Sequence, residues 1–230
     1  MGEAVAEVLP FAVGVAVVPI PVIAMILLLF SARARVNGPA FLAGWMVGLA
    51  VAFLVVYAVA DAGDVASDEA VADGVGWLRL GLGTLLLVLA WRTWQKRPEP
   101  GSDSGLPGWM AGVDRLEPVK AVGLGLALSA LNPKNLVLVV GAAAGVAALG
   151  VTGSDAAAGL AVFVLVGSLS VGLPLVYFLV GGDRATATLD ELKVWLSVHN
   201  HAIMAVLFLV VGAVLISEGL TPLTGGESRP

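Results

Sequence analysis

The sequence contains no cysteine and only two histidines. Without thiols there can be no disulfide, no thiolate-held metal and no thiol relay. Two imidazoles leave little material for a transition-metal site, so neither a metal nor a cofactor is expected. Charge is scarce as well. Asp, Glu, Lys and Arg make up 13% of the 230 residues, against roughly 25% in soluble domains. That deficit excludes a disordered chain and an ordinary soluble enzyme. The balance is acidic, with a net charge of −5, which speaks against a nucleic-acid partner. What the chain does have is apolar surface, with 59% hydrophobic residues and a mean hydropathy of +0.98.

A bilayer core takes about 20 apolar residues as helix. Six stretches qualify, at about 9–30, 39–60, 75–91, 121–149, 157–180 and 202–216. The first is too long for the apolar part of a signal peptide and has Glu3 and Glu7 before it instead of a basic segment, so it reads as a retained span. The runs are continuously apolar, whereas barrel strands would alternate. The expected fold class is therefore an all-α integral membrane protein with six transmembrane helices. Paired small residues, Gly44 with Gly48 and Gly141 with Gly145, suit helices whose backbones pack closely.

The basic residues set an orientation. Arg33 and Arg35 follow span 1; Arg92, Lys96, Arg97, Arg115 and Lys120 follow span 3; Arg184 and Lys193 follow span 5. The other side has Arg229 alone. Positive loops stay in the cytoplasm, so both termini are expected outside a bacterial plasma membrane. Trp91, Trp94, Trp109 and Trp195 fall near the cytoplasmic interface and Trp77 near the outer one. Two amphipathic segments, around Trp109–Leu116 and Leu189–Leu196, read as interfacial helices or as lead-in turns to spans 4 and 6. Residues 97–108, rich in Pro, Gly and Ser, read as a linker. The acidic outer loop, Asp61 to Asp73, does not match a calcium loop and reads as solvated.

Spans 1–3 (1–97) and 4–6 (109–230), joined by 98–108, look like two copies of one unit. Three helices per copy would make the second an inverted repeat. Each copy opens on a helix with a central break: Pro19-Ile20-Pro21 in span 1, and Asn132-Pro133-Lys134 in span 4. Pro19 and Pro21 should free the carbonyls of Val15 and Val17, and Pro133 that of Ser129. In hydrocarbon a freed carbonyl is tolerated only where it faces protein or water. Two such breaks at one depth point to a midplane transport site, with Pro19, Pro21, Ser129, Asn132, Pro133, Lys134 and Asn135 as its candidate residues.

Lys134 is the sharpest feature. A charge at that depth costs at least ~2.5–3.5 kcal/mol on insertion scales, and no Asp or Glu lies inside a predicted span to pair with it. Helix carbonyls could hold the ammonium, the amine could be neutral, or it could meet an anionic substrate in a wet cavity. The bland alternative is a lysine that merely caps a broken helix. Arg79, near the outer end of span 3, either snorkels or pairs with an acid there. Ser168 and Ser170 either line a cavity or bond back to their own helix. His199, Asn200 and His201 read as capping and interfacial residues. No nucleophile–base pair or carboxylate dyad is evident, so an enzyme is not expected.

The stretch 109–135 (WMAGVDRLEPVKAVGLGLALSALNPKN), the stretch 189–220, the proline motif of span 1 and Ala43-Gly44-Trp45 together resemble the GAP family. These are the peptidoglycolipid- or sulfolipid-addressing membrane proteins of actinobacteria, within the wider LysE exporter superfamily. The resemblance implies six helices and movement of lipids or other amphiphiles toward the envelope, with envelope-lipid synthesis proteins as partners. Pro19 and Pro21 correspond to the family's first-helix motif, and Asn132, Pro133 and Lys134 to its fourth-helix motif. The thiol-conduit branch of the superfamily needs cysteine pairs, which are missing here. Its metal-exporting branch carries acids within the spans, also missing. Beside a lipid exporter or flippase stand two alternatives: a LysE-like exporter of amino acids or small metabolites, and a non-transporting scaffold for envelope-lipid synthesis. A homo-oligomer is compatible with each.

Because the chain lacks cysteine, its topology is directly testable. Single cysteines at Ser102 and Asp64 should label from opposite sides in intact cells, Asp64→Cys from outside. Labelling of both from one side would contradict the assignment.

Overall fold

The computed structural model describes residues 2–62, 68–97, 112–113 and 115–224. Among them the chain is helical, in seven elements: α1 (Gly2–Val17), α2 (Pro19–Leu29), α3 (Ala34–Ala62), α4 (Asp68–Gln95), α5 (Pro118–Ala130), α6 (Pro133–Ala148) and α7 (Ser154–Thr224). The linker 98–108, and Trp109, Met110 and Asp114 of the first amphipathic segment, lie outside the described residues, as do residues 63–67 of the acidic outer loop. Three helical stretches are long and apolar enough to cross a membrane: Ala34–Ala60, Ser154–Gly181 and Arg184–Ser217. Counting each bent pair as one span brings in α1 with α2 (51°) and α5 with α6 (62°), making five. The expected third span, 75–91, falls within α4, where the side chains of 68–75 and 78 lie outside the described residues.

A straight helix of the length of α7 would run for about 105 Å. Instead α7 turns back on itself. Tyr177 Oη donates to Thr188 Oγ1 at 3.4 Å, and Ser170 and Trp195 line one cavity. Its two limbs are Ser154–Gly181 and Arg184–Ser217. The second amphipathic segment, Leu189–Leu196, is continuous with the second limb, which makes it the lead-in to span 6. Lys193 there pairs with Asp190 at 2.5 Å and lies 5.2 Å from the centre of the Phe30 ring.

Glycines decide how the helices meet. On α3, a Cβ added to Gly44 would strike the Val122 carbonyl, and one on Gly48 the Ser129 hydroxyl. On α5, a Cβ on Gly125 would strike the backbone of Phe41 and Trp45. The two backbones run parallel in direct contact, the close approach that lipid-embedded helices need. Gly141 and Gly145 act differently, accepting the Phe11 ring and the Glu7 side chain of α1. With Gly14 under Leu138, these pairs give α1 and α6 an antiparallel register. Extended one turn, that register sets Val18 opposite Lys134. α1 also runs parallel to the first limb of α7, with Ala4 at Gly159 and Val15 at Gly167. α4 lies antiparallel to the second limb, Gly83 on Gly212 and Gly76 on Gly219.

Polar ties sort the helix ends into two faces. On the face that carries the start of α1, Arg79 Nη2 meets Glu7 Oε1 at 2.6 Å, and Tyr57 Oη donates to the Val151 carbonyl at 2.8 Å. On the opposite face Asn37 Nδ2 donates to the Leu116 carbonyl at 2.8 Å. Trp77, Trp91, Trp94 and Trp195 are exposed near helix ends, where indole rings meet headgroups. The interior is filled by fully buried Phe41, Trp45, Phe53, Phe163 and Phe208.

Gly44→Ala and Gly125→Ala should each lower stability by about 1–3 kcal/mol through overpacking. Gly123→Ala, with nothing within 4 Å of its Cβ position, should be neutral or stabilising. Thermal unfolding in one detergent checks the contrast.

Candidate functional site

Both breaks have the same local cause. Val18 stands at φ −64, ψ 117 and Asn132 at φ −72, ψ 117. Each directly precedes a proline, whose ring disfavours helical backbone in the residue before it. The first break therefore falls one residue ahead of the Pro-Ile-Pro motif. Pro19 and Pro133 become the first residues of α2 and α6, where no amide hydrogen is required. Pro21 sits in the same opening turn, whose amides have no intrahelical partner in any case.

The carbonyls at the breaks are then accounted for one by one. That of Val15, expected to be free, accepts from Val18 N at 3.3 Å. That of Leu128 accepts from Asn135 Nδ2 at 2.9 Å, across the second break. Asn132 caps α6, its Oδ1 accepting from Lys134 N at 3.1 Å. The two asparagines stitch the half-helices together from either side. Ser129 is fully buried, and its hydroxyl donates back to the Gly125 and Leu126 carbonyls at 2.9 and 3.1 Å. It belongs to the α3–α5 seam and does not reach toward Lys134.

Lys134 is half-buried, with Nζ 5.9 Å from the centre of the Phe208 ring on the second limb, a cation–π distance. Among the described residues no carboxylate pairs with it. His201, one face up the same limb, is its electrostatic neighbour. His201 Nδ1, Asn200 Oδ1 and Asn135 Oδ1 are buried without a hydrogen-bond partner. The region thus offers a cation and unclaimed polar atoms in a setting where each costs free energy if left unpaired.

The first break opens elsewhere. A cavity of about 420 Å³ lies beside it, walled by Val17, Pro19 and Val22, by Ser170, Leu173 and Pro174 of the first limb, and by Trp195 of the second. The Ser170 hydroxyl is buried and unpartnered. Pro174 has no amide hydrogen to offer the Ser170 carbonyl four residues back. Ser170 therefore gives an otherwise apolar cavity its polar point. Ser168, also buried, has an unpartnered hydroxyl too, so neither serine bonds back to its own helix. Pro21, Asn132, Pro133, Lys134 and Asn135 do not line this cavity. The breaks are in register along the α1–α6 seam, and both lie against the second limb of α7. A second cavity, about 480 Å³ and apolar, runs between Leu87, Trp91 and Trp94 of α4 and Ala205 and Leu209 of the second limb.

Sequence reasoning missed Pro174, although a proline four residues after a serine inside an apolar span was the available signal. Trp45, which entered only through the Ala43-Gly44-Trp45 resemblance, is fully buried with Nε1 unpartnered. Arg79, by contrast, has the acidic partner foreseen as one of its two options.

Among known families, residues 8–221 match the family model described as Sap, sulfolipid-1-addressing protein. No curated protein and no solved structure matches the chain.

Asn135→Ala should cost about 1–3 kcal/mol, because it strands the Leu128 carbonyl inside the bundle. Asn132→Ala should cost ~1 kcal/mol and Asn132→Ser less, since serine can still cap. Unfolding midpoints of the three purified variants give the order directly.

Proposed function

Since the chain belongs to the family of sulfolipid-1-addressing proteins, we propose that it is an exporter or flippase that moves a lipid or similar amphiphile toward the cell envelope. Six spans form two inverted three-helix repeats, with both termini extracytoplasmic in the plasma membrane. Two parallel pairings support the inverted arrangement. α5 of the second half lies along α3 of the first, and α1 of the first half lies along the first limb of the second. The observation that carries the functional reading is the pair of matched proline breaks, Val18-Pro19 and Asn132-Pro133, facing each other along α1 and α6. Broken helices at one depth leave backbone and side-chain polar groups where a substrate's polar part can cross.

In this reading Lys134 receives the polar or anionic headgroup, and the acyl chains stay in lipid. The lone ammonium is costly when empty and satisfied when a negative headgroup arrives, so it binds cargo better than solvent does. Ser170 offers hydrogen bonds to a headgroup in the cavity beside Pro19. The half-helices swing about Val18 and Asn132, opening the site to one face at a time. Envelope-lipid synthesis proteins supply the cargo.

Export of the lipid at matched membrane expression tests this. Lys134→Ala should cut export at least about tenfold, the equivalent of 1.4 kcal/mol, and Lys134→Arg should retain part of it. Undiminished export by both would remove Lys134 from the mechanism. Counterflow of an amino acid in proteoliposomes, with no lipid movement, would overturn the substrate class.

A further inference from the structure

Glu7 and Arg79 take no part in the site above, yet they form a poorly hydrated ion pair. Side-chain exposures are 16% and 21%, and Arg79 Nη2 lies 2.6 Å from Glu7 Oε1. The Glu7 carboxyl rests on Gly145, so closely that any Cβ there would strike it. One carboxylate therefore joins three helices. α1 runs from Glu7 to the first break, α6 runs from the second break to Gly145, and α4 supplies Arg79. Tyr57 adds a second tie on the same face, from α3 to the segment after α6. The described cavities both lie toward the other face, beside Val17–Val22 and beside Trp91–Trp94. The Glu7 and Tyr57 ties lie at the terminal face, away from both of these cavities.

We infer that Glu7 and Arg79 are the closed gate of the terminal face, and that the gate opens when an anionic headgroup takes Arg79 from Glu7. The inference rests on the exporter reading. Separating α1 from α4 breaks this charged pair at a poorly hydrated depth, where another anion can take the place of the carboxylate. A guanidinium fork holds sulfate, phosphate or carboxylate oxygens in the same bidentate way. An uncharged headgroup has nothing to exchange. The gate then opens for charged cargo arriving from the break below and closes again on Glu7 once the cargo leaves. Gly145 makes room for this, since only a bare backbone lets the carboxyl seat on α6.

The absence of native cysteine allows a direct test on the full-length protein in nanodiscs. Ala142→Cys, fully buried in the terminal half of α6, reports the gate to a water-soluble maleimide. Ile26→Cys, fully buried in α2, reports the other half. Glu7→Gln and Arg79→Gln should each speed labelling at Ala142→Cys about tenfold or more and leave Ile26→Cys unchanged. The exchanged pair, Glu7→Arg with Arg79→Glu, should return labelling toward the slow rate. With the native pair, a sulfated alkyl glycoside should speed labelling at Ala142→Cys while its uncharged counterpart does not. In Arg79→Gln the sulfated compound should add nothing. Unchanged labelling in the single variants, or equal acceleration at both reporters, would overturn the gate. Equal effects of the two glycosides would overturn the exchange. Labelling needs no transport, so these outcomes stand apart from those of the Lys134 export assay.

Discussion

A proline has no amide hydrogen, and hydrocarbon has no water to make good the loss. Most features near the middle of this protein follow from that pair of facts. Pro19 and Pro133 push the preceding residue into an extended conformation, so the chain cannot continue as helix through Val18 or Asn132. Each break must then be lined by groups that satisfy the backbone. At the second break two asparagine side chains do so, one capping α6 and one reaching back to Leu128. At the first, the Val15 carbonyl is recovered by the Val18 amide. What is left over is polar and unclaimed: Lys134, the Ser170 hydroxyl and the Asn135 oxygen. Those leftovers are what a crossing headgroup can use.

Glycine makes the breaks meet. Lipid tails give helices no hydrophobic reason to associate, so contact has to come from close packing. Gly44, Gly48 and Gly125 bring the α3 and α5 backbones together, and Gly14, Gly141 and Gly145 fix the sliding register of α1 against α6. That register holds the two interrupted points at one level.

The helical class and its multi-pass character were readable from hydropathy, since a membrane demands long unbroken apolar runs. The breaks were readable because proline acts locally. The first lies one residue ahead of its motif, at Val18, because the conformational penalty falls on the residue before the ring. What sequence could not give was direction around each helix. Ser129 was grouped with Lys134 because the two are close in the chain, yet its hydroxyl turns to its own helix and packs on Gly48. Pro19 and Lys134 were expected to share a pocket, and Lys134 does not line the cavity beside Pro19. The cavity at Ser170 depends on how the two limbs of α7 turn toward the first break, which span order does not set. Glu7 as the partner of Arg79 was foreseeable only as one of several acids, because seventy residues separate the two and packing alone brings them together.

Amide hydrogen exchange of the protein in nanodiscs, resolved to single residues, addresses the central claim most directly. Amides at Val18, Leu131 and Asn132 should exchange orders of magnitude faster than those of 22–28 and 138–146, because water or a headgroup must reach the breaks. Equal protection across breaks and flanks would mean that both are dry, sealed kinks, and would contradict a polar crossing point at the middle of the membrane.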